Sequence, residues 1–347
     1  MPMKVPRQIL NLLFKAVVAG LLLWAIYRQV FGRGDAVELW AAWQQQLQSG
    51  RWPWLLVAAV LMPLNWALEA AKWRYLLAPS CRLPFGQAWR AVFCGLALSL
   101  FTPQRVGEYL GRVLGVPAGH NWPAVLAMAV GNFAQLLALL SFGLAGAALL
   151  LGDYLDHSKG WGAAAAALLL GLYLLFFNLR RLPGWLRQLP LPRRAWRLLL
   201  MLRQYRGGQL ARAWGWSVAR YATYSFQYYA LAMFFGIVAP PVLAFAAIAS
   251  LFLVQTSLPL PPLMGLLARG EAALLLWGRF SDQPLSILAA TYGLFILNLC
   301  LPALLGLAFI VKTNVLKSLG YEKDLLQVQL LRRFVGLAHG FRASRKD

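Results

Sequence analysis

The sequence predicts an all-α polytopic membrane protein: about six spanning helices plus two short hairpins, re-entrant or paired, arranged as an inverted repeat. Three observations lead there. The chain is 60% hydrophobic and only 13% charged, and several apolar runs reach the ~20 residues needed to cross a bilayer. Its net charge of +22 sits mostly in the links between those runs, as basic residues do on the cytoplasmic side of membrane proteins. Two pairs of shorter apolar segments meet at turns that carry Pro, Gly, Arg and Glu, and ionisable residues at such depth mark a substrate path by default. The runs are apolar all round, which excludes the alternating strands of an outer-membrane barrel.

The elements follow in order. Residues 9–31 form the first span. Lys4 and Arg7 ahead of it resemble a signal peptide, but the run is long and lacks a small-residue cleavage site, so a retained span is expected. The next loop balances Arg33 and Arg51 against Asp35 and Glu38. The second span, 53–77, is followed by a basic stretch with Lys72, Arg74, Arg82 and Arg90, which places that end and the N-terminus in the cytoplasm. Segments 88–101 and 104–116 are each too short to cross comfortably, and Pro103 breaks the helix between them. Residues 122–151 cross to an external loop with Asp153, Asp156, His157 and Lys159, and 160–178 return.

The loop at 179–213 holds nine arginines and no acid. Trp185, Trp196, Leu198, Leu199 and Leu202 interleave with them, which suggests helix lying on the inner membrane surface. Residues 214–238 lead out to Pro240 and Pro241. Segments 242–258 and 263–280 then flank the Pro259, Pro261, Pro262 turn, and 285–311 make the last crossing. The first repeat is therefore 1–151 with its hairpin at 88–118. The second is 152–311, with the basic cytoplasmic loop 179–213 and a hairpin at 241–280, and 312–347 is a basic cytoplasmic tail. Each half holds two spans, a hairpin and a third span, and an odd number of spans inverts the second half. A variant of this topology lets both members of the second pair cross fully.

In a soluble protein such a charge would suggest nucleic acid. Here topology and attraction to anionic lipid account for it, and no nucleic-acid partner is expected. Cys81, Cys94 and Cys300, like His120, His157 and His339, lack disulfide or metal-ligand spacing. No metal and no cofactor are expected. The sequence holds no nucleophile elbow, P-loop or metal-binding helix motif, and an enzyme is not the expected reading.

The chemistry concentrates at the two turns. A helix broken inside the membrane frees backbone groups, which is tolerated only against protein or a water-filled cavity. Pro103 and Gly107 mark one break; Pro259, Pro261 and Gly265 mark the other. Arg105, Arg112 and Arg269 would present forked donors to a phosphate. Glu108 and Glu271 would hold those arginines, accept a proton or take a cationic head group. The candidate substrate-binding set is thus Pro103, Arg105, Gly107, Glu108, Arg112, Pro259, Pro261, Gly265, Arg269 and Glu271. Arg–Glu pairs that merely pin the hairpins to neighbouring helices are the structural alternative. Asn65 and Glu69 share a face of the second span. Lys72 and Arg74 are read as interfacial anchors, and Asn132, Gln135, Gln255 and Asn298 as interhelical hydrogen-bonding residues. Gly111 and Gly115 suggest close packing.

Three stretches carry a resemblance: Lys72-Trp73-Arg74-Tyr75-Leu76-Leu77, Leu98 through Glu108, and Arg112. They resemble the lysylphosphatidylglycerol synthase transmembrane-region family, also called flippase-like integral membrane proteins, and the likeness runs from the second span to the last. At the second turn the family's glycine pair is replaced by Pro261-Pro262-Leu263-Met264-Gly265, and Glu271 comes slightly late. The resemblance implies a protein of the bacterial or archaeal inner (plasma) membrane that moves a lipid between leaflets. Bifunctional members add a soluble aminoacyl-transferase domain; this chain ends one short amphipathic segment after its last span, so the flippase part alone is expected. The implied partners are membrane lipids: an anionic or aminoacylated phospholipid, or a polyprenyl-linked lipid. The competing readings are a membrane enzyme on a polyprenyl-phosphate or other lipid-linked substrate, with Ser99 and Thr102 the only nearby hydroxyls, and a scaffold that recruits a cytoplasmic lipid-modifying synthase through the loop from Arg180 to Arg212.

Overall fold

A computed structural model describes residues 20, 36–100, 102, 106–117, 119–155, 159–188, 190, 192–257 and 265–312. The first span at 9–31 apart from Gly20, the tail beyond 312, and the turn residues Pro103, Arg105, Pro259 and Pro261 lie outside the described residues. Everything regular among the described residues is helical. The helices are α1 (Ala36–Gln48), α2 (Trp52–Leu77), α3 (Phe85–Ser99), α4 (Gly107–Val113), α5 (Asn121–Leu155), α6 (Lys159–Phe177), α7 (Leu182–Trp185), α8 (Arg193–Met201), α9 (Gly207–Phe234), α10 (Pro241–Ser257), α11 (Leu266–Trp277), α12 (Pro284–Phe295) and α13 (Leu301–Lys312).

Prolines set several helix starts. Pro53 and Pro284 stand in the first turns of α2 and α12, where the missing N–H is one the helix leaves unpaired anyway. Gly236 stops α9: at φ +79° it adopts the left-handed conformation, and Ile237 N then donates to Ala232 O at 2.9 Å, closing a six-residue cap.

Three helices among the described residues are long and apolar enough to cross a membrane: Trp52–Leu77, Asn121–Leu150 and Pro284–Val311. Gly162–Phe177 with Leu179–Trp185 makes a fourth if that pair, bent by 64°, is one span. The protein is a multi-pass helical membrane protein. The expected six spans also counted 9–31 and the segment at 214–238. The latter forms most of α9, whose 28 residues extend about 42 Å at ~1.5 Å per residue. Its low apolarity has a physical cause. Ser217, Gln227 and Tyr228 are buried in the protein, so its polar groups face neighbouring helices rather than lipid.

The short pairs are present as α3/α4 and α10/α11. Their packing against the long helices is reciprocal. α2 packs along α9, α10 along α5, and α3 along α13. Each hairpin thus lies against the last long helix of the other half. The α3/α4 pair is drawn together by small residues. A Cβ at Gly107 would strike the Leu98 carbonyl, one at Gly111 the Gly95 backbone, and one at Gly115 the Ala91 methyl. The Gly111–Gly115 pattern is therefore a close-packing stripe, and Gly107 extends it. On the far side, Gly306 of α13 meets the Phe93 carbonyl of α3 as closely.

α8 is strongly amphipathic, and part of its apolar side turns to the protein, while Leu200 stays exposed. Leu199, with Leu202 just beyond, packs on a cluster that includes Trp73, Leu76 and Leu77. The ends of α2 and α5 supply that contact.

Gly111→Ala is expected to lower stability by about 1–3 kcal/mol through overpacking, read as a lowered thermal midpoint in detergent. Gly152→Ala, whose Cβ meets nothing within 4 Å, should stay within about 0.5 kcal/mol of wild type.

Candidate functional site

A cavity of about 440 Å³ lies among the helices, within the ~300–1,000 Å³ typical of small-molecule sites. Elements of both halves line it. α2 gives Asn65, Trp66 and Glu69, and α4 gives Glu108. α5 gives Asn132, Gln135, Leu136 and Leu139, and α9 gives Arg220, Tyr221 and Tyr224. Phe252, Gln255 and Thr256 come from α10, Arg269 from α11, and Phe295, Asn298 and Leu299 from the α12–α13 helix. The described residues flanking both proline-marked turns therefore face one space.

Glu69 organises its polar side. Arg112 Nη2 donates to Glu69 Oε1 at 2.7 Å, Lys72 Nζ lies 2.8 Å from Oε2, and Arg220 Nη1 lies 3.6 Å from Oε2. Glu108 Oε2 stands 3.7 Å from Arg112 Nη2. Helical spacing makes these contacts: Glu69 and Lys72 are three apart on α2, and Glu108 and Arg112 four apart on α4, so each pair shares a face. Aromatic faces back the cations. The Arg112 guanidinium sits 5.3 Å from the Trp73 ring centre, Arg220 sits 4.9 Å from Trp66, and Arg269 sits 5.6 Å from Phe295. Gln135 braces the cluster with long bonds, its Oε1 accepting from Lys72 at 3.5 Å and from Arg220 at 3.4 Å.

A second polar chain ties three helices below Glu69. Asn65 Nδ2 donates to Asn298 Oδ1 at 3.0 Å, Asn298 Nδ2 to Gln227 Oε1 at 2.7 Å, and Gln227 Nε2 to the Ala58 carbonyl at 2.7 Å. Asn298 sits in a π-turn, Ile296–Cys300, a distortion that re-aims side chains and recurs at functional sites.

Of the residues singled out from the sequence, Glu108, Arg112 and Arg269 come together: Glu108 and Arg269 line the cavity, and Arg112 stands behind it, bonded to Glu69. Gly107 and Gly265 are buried at the helix starts beyond the turns. Glu271 is exposed and does not line the cavity. Lys72 corrects the expectation of an interfacial anchor. It is 1% exposed and paired with Glu69, because its position one turn from Glu69 turns it into the bundle. Arg74, two residues on, is exposed and donates to the Leu83 carbonyl at 2.8 Å. Asn298, Asn132 and Gln135 make the interhelical bonds expected of them, and all three line the cavity with Gln255. Arg220 escaped notice in the sequence. It lies eight residues past the arginine-rich loop's last member and reads as one more basic loop residue, although a lone Arg among tyrosines and alanines in a long helix was the available clue. Among the described residues, no three His, Cys, Asp or Glu side chains gather as a metal site.

Glu69→Gln should cost about 3–5 kcal/mol, the penalty for stripping buried cations of their partner. Adding Lys72→Met should restore a measurable part of it. Equilibrium unfolding in mixed micelles distinguishes the two variants.

No curated protein and no solved structure matches the chain. Residues 12–306, which take in both hairpins and the whole cavity lining, match the family described as the lysylphosphatidylglycerol synthase TM region, and the chain belongs to that family.

Proposed function

We propose that the protein binds the anionic head group of a phospholipid or other lipid-linked substrate in this cavity and moves it between leaflets by alternating access. The observation that carries this reading is the charge balance of the cavity wall. Among the described residues, Lys72, Arg112, Arg220 and Arg269 face or back it against Glu69 and Glu108. A surplus of cations away from water favours an anion. Donors are at hand. Arg112 Nε and Nη1 and the Trp66 indole N–H find no acceptor among the described residues, and a forked guanidinium suits a phosphate. The lining also includes the apolar side chains Leu136, Leu139, Tyr224 and Phe252, as an acyl or polyprenyl chain would require.

Arg220 is the cation we assign to the head group. Its side chain lines the cavity with 16% exposure, and its 3.6 Å contact with Glu69 is longer than those of Lys72 and Arg112. An arriving phosphate would draw Arg220 from Glu69, while the two shorter pairs keep Glu69 compensated. The reciprocal packing of the halves supports alternating access, since rocking one against the other would shift both hairpins about one site. Family membership supports a lipid-related role, and the inner bacterial membrane with both termini in the cytoplasm is the setting we assign. The two hydroxyls near the first turn are engaged locally. Ser99 Oγ donates to the Leu96 carbonyl at 2.9 Å, and Thr102 Oγ1 accepts from Gly107 N at 2.7 Å. That favours transport over nucleophilic catalysis.

The test is leaflet movement of fluorescent phospholipids in proteoliposomes. Arg220→Gln and Glu108→Gln should each slow movement roughly ten-fold, the scale of one lost charge-assisted hydrogen bond, while Ser99→Ala leaves it unchanged. Movement that ignores Arg220 and Glu108 overturns the site; no movement of any anionic, zwitterionic or aminoacylated lipid overturns the function.

A further inference from the structure

We propose that the segment at 179–213 is a built docking surface for the anionic phospholipid head groups of one leaflet. This goes beyond the cavity reading and does not depend on it.

Membrane orientation needs only basic residues in a link, whatever its conformation. This link is folded. Leu179–Arg181 and Leu202–Gln204 form single 3₁₀ turns around the short helices α7 and α8. Leu179, Pro183, Leu202 and Tyr205 are buried against the bundle, and Ser80 Oγ donates to Gln204 Oε1 at 3.0 Å. Leu199 of α8 joins this anchorage. What faces outward is charge: Arg180, Arg181, Arg187, Arg193, Arg197 and Arg203 are all exposed, and no acid stands anywhere in the segment. Holding like charges side by side on a rigid frame is unfavourable unless counter-charges come from outside.

Depth decides what supplies them. α6 exposes Leu168, Leu170 and Leu174 along its length, as a lipid-facing helix does, and the chain then turns by 64° into Leu179–Trp185. The segment therefore swings toward the membrane plane within one turn of lipid-facing residues. Trp185 at its end is 58% exposed, and tryptophan favours the head-group layer. Arginines at that depth meet phosphates before they meet any soluble partner, and each basic residue near an anionic surface adds to the attraction.

The experiment is native mass spectrometry of the full chain released from detergent in the presence of phosphatidylglycerol or phosphatidylcholine. Wild type should retain phosphatidylglycerol in preference by roughly ten-fold or more. The variant with Arg187→Gln, Arg193→Gln, Arg197→Gln and Arg203→Gln should lose that preference, and the four Arg→Lys changes should keep it, with the thermal midpoint of each confirming the fold. Arg220→Gln should remove at most the lipid held in the cavity, so failure here and failure of the cavity reading are separable. Equal retention of the two lipids by wild type, or undiminished phosphatidylglycerol on the Gln variant, overturns the proposal, and the surface would then be assigned to an acidic protein or to solvent.

Discussion

The Glu69 carboxylate is the point on which the rest of the bundle's interior depends. It compensates cations from α2, α4 and α9 at once, and through Arg220 and Lys72 it reaches Gln135 of α5. Removing four charged side chains from water is costly, and mutual attraction offsets that cost only when geometry is close and remaining polar atoms are bonded. The contacts to Arg112 at 2.7 Å and Lys72 at 2.8 Å supply the close geometry, while Arg112 Nε and Nη1 keep unmet donors among the described residues. A cluster so arranged fixes the relative placement of helices and sets Arg220 on the cavity wall.

Close backbone approach makes that arrangement reachable. α4 has only seven residues, so it can present Glu108 and Arg112 to α2 only if it sits hard against α3. The glycines at 95, 107 and 111 allow that approach. On the opposite side, the π-turn at Ile296–Cys300 directs Asn298 inward, where it joins α2 to α9. The cavity is the space left between two devices that each sacrifice regular helix or side-chain volume. Such local departures are where function-bearing geometry is expected.

Much of the architecture was legible because the membrane imposes it. Long apolar runs and the two short pairs are properties of composition and period, and among the described residues they appear close to their expected bounds. The Gly111–Gly115 spacing likewise reads directly as contact. Side-chain roles were less legible. Lys72 near a helix end has the pattern of a snorkelling anchor, and only the bundle's thickness at that level shows that it turns inward. Arg220 follows a run of basic loop residues, so its charge carries no distinguishing mark in sequence. The amphipathic period of α8 is the same whether lipid or protein covers its apolar side; tertiary packing alone decides. Glu271 shares its residue type and neighbourhood with Glu108, yet helical phase leaves it exposed.

The most direct test of the central claim is whether a lipid occupies this cavity. A photo-crosslinking amino acid at Phe252, which lines the same cavity as Arg220, would be irradiated in native membranes and its adduct identified by mass spectrometry. An anionic or lipid-linked adduct at that position, diminished by Arg220→Gln, is the predicted result. A lipid adduct from the same group placed at Leu174 on the outer face of α6, with none from Phe252, would contradict the account.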